Sequence, residues 1–385
     1  MTAPSDADLA RLARFEQLTL ADPDNSALLA DAFEVALSAR ALDAASRFLE
    51  RLAGLNPNAP QTIFRRGRWL LAAGRHNEAR AVFQTVRARV GPNPAIDSQL
   101  AAASSAAGDH KAVVELLLPH AQDRQLSGAA WALLLGALHR AQRFDEARAL
   151  VESCREAFSS DAVSLGAASL VSFDAGDLPV ASELAQQALA LNAAQIDALV
   201  VAGFAALNES DGPRAVTCLT HATALRPAEP RAWSGLGFAK LFVGDLPAAQ
   251  AALEQSVALD PRHAGTWHGL AWSRIAAKDV PGAKAAFEGA LECDRNFAET
   301  HGGLALVAHM QGDRAAAEQS LARALKLDRR SPTARYAQML MRGTRIEGNA
   351  ETAVRHILEA PGERNARVVG QALFGLARRD GRPLS

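Results

Sequence analysis

Residues 244–261, GDLPAAQAALEQSVALDP, contain the pattern that decides the fold. Gly244 is typical of a helix end, because glycine readily takes positive φ, and Asp245 is typical of the N-cap of a following helix. Pro261 ends that second helix, since proline cannot continue it. Ala249 lies inside the second helix and leaves little side chain at a helix crossing. The stretch therefore predicts the second half of a helical hairpin.

The pattern recurs every 34 residues. Stepping from Ala249 in both directions reaches alanine at eight of nine positions: Ala45, Ala79, Val113, Ala147, Ala181, Ala215, Ala249, Ala283 and Ala317. An apolar residue follows four positions later: Leu49, Phe83, Leu117, Val151, Ala185, Leu219, Leu253, Phe287 and Leu321. Glycine stands five positions earlier in five repeats: Gly74, Gly108, Gly176, Gly244 and Gly312. A fixed period of this length is typical of a repeat architecture built from stacked helix pairs.

These columns resemble the tetratricopeptide repeat (TPR) family. One repeat matches the family pattern at Trp233, Leu236, Gly237, Gly244, Ala249, Leu253 and Pro261, and the next matches at Trp267, Leu270, Ala283, Phe287 and Ala290. The usual first-helix tyrosine is replaced by other residues, among them Ser104, Ser172, Lys240 and Arg274. The resemblance implies an all-α fold, a right-handed superhelical solenoid of stacked antiparallel helix pairs (a TPR array).

The same phase predicts the domain organisation. We expect an N-terminal capping helix in 1–25, nine consecutive 34-residue TPR units in 26–331, a degenerate tenth TPR in 332–360, and a C-terminal capping helix and tail in 361–385. Terminal repeats are expected to be atypical because their outer face meets water.

Composition argues against several classes of protein. The formal net charge is −1, whereas a nucleic-acid-binding surface normally needs a basic excess, so no nucleic-acid partner is expected. The longest apolar runs, 128–138 and 198–207, are too short to span a bilayer, and the N-terminus does not read as a secretory signal. Cys154, Cys218 and Cys293 lie far apart, which disfavours a zinc site or a disulfide framework. A cytoplasmic protein without membrane insertion is predicted.

Sequence motifs of catalysis are missing. The chain has no GxxxxGK[ST] phosphate loop, no HExxH and no GxSxG, and the repeats use nearly all of its length. His301 and His309 share a helix face and His268 falls in the preceding repeat, but no carboxylate joins them at ligand spacing. We therefore expect no enzyme, no cofactor and no metal.

The TPR resemblance implies that ligand contacts concentrate on the first helix of each pair, which lines the concave groove. Its ninth position holds Glu34, Arg68, Ala102, Gly136, Leu170, Phe204, Phe238, Trp272 and Leu306. On this interpretation stacking does not need that column, and an apolar stripe that stacking does not need indicates a binding surface. Small fifth-position residues beside it would leave room for a ligand side chain: Gly166, Ser234 and Gly302. An alternative role for twelfth-position residues is packing between adjacent helices.

The predicted partner-binding residues of the concave groove are Leu170, Phe173, Phe204, Phe238, Phe242, Trp272, Leu306 and Met310. A secondary polar groove is predicted at Glu34, Arg65 and Arg68. A clamp for a peptide C-terminus is disfavoured, because its candidates Arg65, Arg68, His139 and Arg140 are scattered and the asparagines of such a clamp are missing.

The function predicted from the sequence is a non-catalytic scaffold or adaptor that binds a protein or peptide segment with apolar anchors. The alternative is an accessory subunit that regulates a separate enzyme or delivers substrate to it. Residues 329–385 carry 11 Arg against 5 acidic residues, and the first 34 residues carry 7 acidic residues against 2 Arg. These oppositely charged ends permit a homo-oligomer.

Overall fold

A computed structural model describes residues 6–122 and 125–342 of the chain. Every regular element in those ranges is an α-helix, which confirms the predicted all-α repeat solenoid. The chain divides into two compact units, Met1–Ala175 and Gly176–Ser385, called here the N-terminal and C-terminal units. The predicted C-terminal capping helix and most of the predicted tenth repeat lie outside the described residues.

The helices of each unit alternate between first and second members of a pair. The described helices of the N-terminal unit are α1 (Asp6–Ala21), α2 (Ser26–Ser38), α3 (Leu42–Leu55), α4 (Pro60–Ala72), α5 (His76–Val90), α6 (Pro94–Ala106), α7 (His110–Gln122), α8 (Gly128–Arg140), α9 (Phe144–Phe158) and α10 (Ala162–Asp174). Those of the C-terminal unit are α11 (Leu178–Leu191), α12 (Ile196–Asn208), α13 (Gly212–Leu225), α14 (Pro230–Phe242), α15 (Leu246–Leu259), α16 (Ala264–Ala276), α17 (Val280–Cys293), α18 (Ala298–Met310), α19 (Arg314–Leu327) and α20 (Pro332–Met341). The even-numbered helices, the first helices, begin at intervals of 34 residues from Ser26 to Pro332.

The turn from a first helix to its second helix has the same backbone conformation in nine repeats. Its central residue has positive φ whether or not it is glycine. The glycines of this column are Gly74, Gly108, Gly176, Gly244 and Gly312, and the other members are Arg40, Gln142, Ser210 and Lys278. The left-handed region costs a residue with a Cβ about 1–2 kcal/mol, so four repeats hold this turn under strain.

The residue after that turn caps the second helix. Six repeats place aspartate there, and its carboxylate accepts the backbone N–H three residues later: Asp109, Asp177, Asp211, Asp245, Asp279 and Asp313. Arg75 and Arg143 occupy the same column, and each donates two hydrogen bonds to the glutamate three residues on, Glu78 or Glu146. In these two repeats arginine is a poor N-cap residue, and the glutamate three residues later places a negative charge at the positive end of the helix.

The core follows the predicted alanine column. All nine members of that column, Val113 included, are fully buried. The first helices carry small residues opposite the apolar column four positions later: a Cβ added to Gly67 would lie 2.6 Å from the Phe83 ring, and one added to Gly203 would lie 2.5 Å from Leu219. The two helices of a pair therefore cross so closely that a larger residue on either side would overpack the crossing.

Candidate functional site

The apolar ninth-position residues of the C-terminal unit are core residues. Phe204, Phe238, Trp272 and Leu306 are 6%, 3%, 4% and 2% exposed. The last three belong to one buried cluster that also contains Phe287, whose ring stands edge-on to Trp272 at 6.1 Å. The expectation that stacking does not need this stripe is therefore wrong. These four residues are called the C-terminal row below.

Phe204 and Phe238 are buried against the next first helix. The Phe238 ring of α14 would lie 2.6 Å from a Cβ added to Gly269 of α16, and the Phe204 ring of α12 would lie 3.0 Å from one added to Gly235 of α14. Each aromatic ring thus fills the space above a glycine of the next first helix. The protein itself therefore fills the space beside Phe204 and Phe238.

The small fifth-position residues also touch the next first helix. Ser234 Oγ and Thr266 Oγ1 are 3.0 Å apart, and a Cβ on Gly302 would lie 2.7 Å from the backbone nitrogen of Ala334. Gly166, the third predicted small residue, is buried. These positions serve helix packing, which corrects the interpretation of them as ligand space.

His268 occupies the same fifth position in α16 and is fully buried. Its Nε2 lies 2.8 Å from Thr300 Oγ1, and the rings of Phe287 and Phe297 stand edge-on to the imidazole at 5.4 Å and 5.3 Å. Burial lowers the pKa of His268 to about 3, because an imidazolium ion has no compensating charge in this environment. The side chain is neutral at physiological pH and joins α16 to α18.

The other predicted apolar residues are more accessible. Leu170 and Phe173 of α10 are half-buried, as is Phe242, whose ring lies against the start of α13 at Gly212. Met310, the last residue of α18, is 40% exposed. The partner-binding role of the eight predicted residues stays a prediction, and the structure leaves these four with surface that a partner can reach.

The three residues of the predicted polar groove lie together. Glu34 of α2 accepts a hydrogen bond of 2.5 Å from Arg68 Nη1 of α4, and Arg65 Nε lies 3.7 Å from the other carboxylate oxygen. Their side chains are 40%, 29% and 23% exposed for Glu34, Arg68 and Arg65. Arg65 Nε is enclosed by protein and has no hydrogen-bond partner among the described residues. Two guanidinium groups therefore share one carboxylate.

The ninth position remains accessible throughout the N-terminal unit. Its five residues, called the N-terminal row, are all half-buried: Glu34, Arg68, Ala102, Gly136 and Leu170. Around Gly136 the space is open, since a Cβ there would meet only Arg140 Nη1, at 3.4 Å. Glycine inside a helix costs about 0.5–1 kcal/mol relative to alanine, and here no packing contact requires it. The row passes from charged to small to apolar residues.

A buried polar cluster lies elsewhere in the N-terminal unit. Asp97 of α6 is 1% exposed, and its two oxygens accept hydrogen bonds from Arg87 Nε of α5 at 2.6 Å and His120 Nε2 of α7 at 2.8 Å. Sequence reasoning missed this cluster. The available signal was the repeat column itself, because Asp97 stands where the corresponding repeats have Trp131, Trp233 and Trp267.

No group of three or more His, Cys, Asp or Glu within residues 6–122 and 125–342 could hold a metal ion. In those same ranges no helix is both long and apolar enough to cross a membrane.

Comparison with known proteins identifies the repeat type. Residues 243–307 match the family model of the tetratricopeptide repeat, and no curated protein matches the chain. Among solved structures, the chain is similar to the APC/C hetero-tetramer Cut9–Hcn1, with a TM-score of 0.57 and 15% identity over 81% of this chain and 63% of that one. At this identity the likeness shows the fold alone.

Two smaller proteins also resemble parts of the chain. PilF of Pseudomonas aeruginosa has a TM-score of 0.47 and 17% identity, covering 57% of this chain and 99% of that one. YrrB, a TPR protein with an unusual peptide-binding site, has a TM-score of 0.39 and 16% identity, covering 51% and 97%. Both scores are too low to support an argument about this chain. Residues 243–307 therefore match the tetratricopeptide repeat, and the helix pairs at 34-residue intervals together with the likeness to Cut9–Hcn1 show an all-α repeat fold in the described part of the chain.

Proposed function

We propose that this chain is a non-catalytic scaffold that holds a polypeptide segment along the N-terminal row. The observation that carries the proposal is the contrast in accessibility at one repeat position. All five members of the N-terminal row have side-chain or backbone surface open to solvent, whereas the four residues of the C-terminal row are buried in the core.

The chemistry of the row suits an extended segment. Leu170, with Phe173 one turn along α10, offers a half-buried apolar anchor at one end of the row. Ala102 and Gly136 let a peptide backbone come close at the centre, and the charged pair of Glu34 and Arg68 contacts polar groups at the other end. This keeps the apolar anchors predicted from the sequence but moves them to the accessible end of the N-terminal unit.

Gly136 supports the proposal independently of charge. Gly67, Gly203 and Gly269 are each required because a neighbouring side chain occupies the place of their Cβ. Gly136 has no such neighbour, so alanine would stabilise α8 by about 0.5–1 kcal/mol. Close approach of a ligand backbone gives a physical reason for glycine at that position.

The test compares the same substitution at two open helical glycines. Gly136→Leu fills the centre of the row, and Gly54→Leu is the control, because Gly54 lies in the second helix α3 with no heavy atom within 4 Å of an added Cβ. Proteins that co-purify with the wild-type chain from its native cell are quantified for both variants, with circular dichroism to verify folding. We expect Gly136→Leu to lose the partner and Gly54→Leu to keep it. Retention by Gly136→Leu, or loss by both, would contradict the proposal.

A further inference from the structure

The arginine pair of α4 presents more N–H donors than the described residues accept from. Arg65 and Arg68 stand one helical turn apart and both face Glu34 of α2. Only one direct hydrogen bond joins the three side chains, from Arg68 Nη1 to Glu34 Oε2. A guanidinium group presents several N–H donors in a planar fork that matches a carboxylate. The pair therefore has geometry and charge for a second carboxylate.

We infer that Arg65 and Arg68 bind an acidic side chain of the segment held on the N-terminal row, and that Glu34 occupies part of this anion site when no segment is bound. The inference rests on the proposed function, since it names the chemistry of the partner at that same face. Both arginines retain solvent contact, so an incoming Asp or Glu reaches them without unfolding the repeat.

The charge pattern favours a polypeptide over a nucleic acid. A phosphate backbone places negative charge at every nucleotide, and Glu34 would repel it beside the arginines that attract it. The rest of the row, Ala102, Gly136 and Leu170, adds no cation. A peptide that carries one acidic residue near α4 and an apolar residue near α10 matches the row along its length.

The site differs from a clamp for a chain terminus. A side-chain carboxylate can reach Arg65 and Arg68 from the middle of a segment, so binding should not require a free C-terminal carboxylate. Amidated probe peptides separate the two modes, because amidation removes the terminal charge and leaves the side chains unchanged.

The experiment measures fluorescence anisotropy of two labelled probes with the full chain, at an ionic strength of about 20 mM, where ion pairs are weakly screened. One probe is an acetylated, amidated peptide of Glu-Ser-Leu repeats, and the other replaces every Glu with Gln. Hydrogen bonds to charged groups predict that the Glu peptide binds about 10-fold more tightly. Arg65→Gln/Arg68→Gln should abolish that preference.

A variant that gains affinity tests the inference more specifically than one that loses it. Glu34→Gln removes the internal carboxylate and frees both guanidinium groups, so affinity for the Glu peptide should rise about 3-fold or more. Arg148→Gln, on the second helix α9 with its side chain 51% exposed, is the matched control and should change nothing. Equal binding of the Glu and Gln peptides, or no gain in Glu34→Gln, would overturn the inference.

Two further outcomes are decisive. A thymidine dodecamer that binds more tightly than the Glu peptide and depends on Arg65 and Arg68 would assign the pair to phosphate and overturn the inference. If both peptides bind the wild type equally and Gly136→Leu abolishes both, the N-terminal row binds polypeptide without a carboxylate contact. In that case the inference fails and the proposed function stands.

Discussion

Lys278 should destabilise the repeat in which it stands, and glycine at that position should stabilise it. The residue lies in the turn between α16 and α17 with φ of 63°, a conformation that glycine adopts in the equivalent turns at Gly244 and Gly312. Lys278 is exposed and no hydrogen bond or ion pair of its side chain is recorded among the described residues. Its substitution therefore tests backbone strain with little change in packing.

The magnitude follows from two opposing terms. Relief of the left-handed conformation is worth about 1–2 kcal/mol for a residue with a Cβ. The greater conformational freedom of glycine in the unfolded chain offsets about 0.5–1 kcal/mol of that gain in stability. We expect Lys278→Gly to raise the free energy of unfolding by about 0.5–1 kcal/mol. The same change at Arg40, Gln142 and Ser210 should add similar increments, because distant sites are usually additive.

Urea unfolding followed by circular dichroism measures the effect. Lys278→Ala is the control, since it removes the same side chain and keeps the strained Cβ. Gly244→Ala is the reverse test and should lower the free energy of unfolding by about 1 kcal/mol. If Lys278→Gly is no more stable than Lys278→Ala, backbone strain does not explain the turn and the reasoning fails.

Three other substitutions test the packing described above. Burial lowers the pKa of His268 to about 3 in the folded protein, so the imidazole stays neutral there. In the unfolded chain the same imidazole takes up a proton as pH falls below 6.5. The free energy of unfolding should therefore decrease as pH drops from 6.5 toward 3. The loss is about 2 kcal/mol at about pH 5, and urea titrations at about pH 7.5 and 5 should show it in the wild type and not in His268→Gln. Gly269→Ala should cost about 1–3 kcal/mol in the same assay because the Phe238 ring occupies the place of the new methyl group. Ser172→Ala should raise the melting temperature, since the buried Ser172 hydroxyl has no partner among the described residues and its desolvation costs about 1–3 kcal/mol; an unchanged or lower melting temperature would contradict this.

The repeat columns made most of the fold predictable. A small residue every 34 positions reports the helix crossing directly, because only alanine or a similarly small side chain fits there, and the whole column from Ala45 to Ala317 is buried. The turn between the two helices of a pair was only partly predictable from the sequence. Glycine marks it in five repeats, but Arg40, Gln142, Ser210 and Lys278 adopt the same φ because the flanking helices fix the path of the chain. Residue type alone does not reveal a conformation that tertiary structure imposes.

The candidate site was less predictable because the accessibility of a residue depends on which neighbouring side chains cover it. Arg68 and Trp272 occupy the same repeat position, yet Arg68 is half-buried and Trp272 is 4% exposed. The difference lies in the neighbouring side chains: the Trp272 ring packs against Phe287 of α17, whereas the Arg68 guanidinium pairs with Glu34 and keeps contact with solvent. The grouping of Glu34 with Arg65 and Arg68 was predictable, since residues 34 apart on neighbouring first helices face each other.

The buried Asp97 cluster limits how freely repeats can be exchanged. In an array of equal length and phase, removing or duplicating one 34-residue segment brings equivalent surfaces together, so most such changes should preserve the apolar core. Asp97, Arg87 and His120 come from three successive helices and satisfy one another across a repeat boundary. Deleting the repeat that starts at Pro94 removes Asp97 and His120. Inserting before it a repeat that lacks the equivalent of Arg87 leaves the Asp97 carboxylate with His120 as its remaining partner of the three. A hydrogen bond to a charged group contributes about 1.5–3 kcal/mol, so losing the Arg87 contact should cost about that much. This boundary therefore favours keeping the second and third repeats together when repeats are removed or inserted.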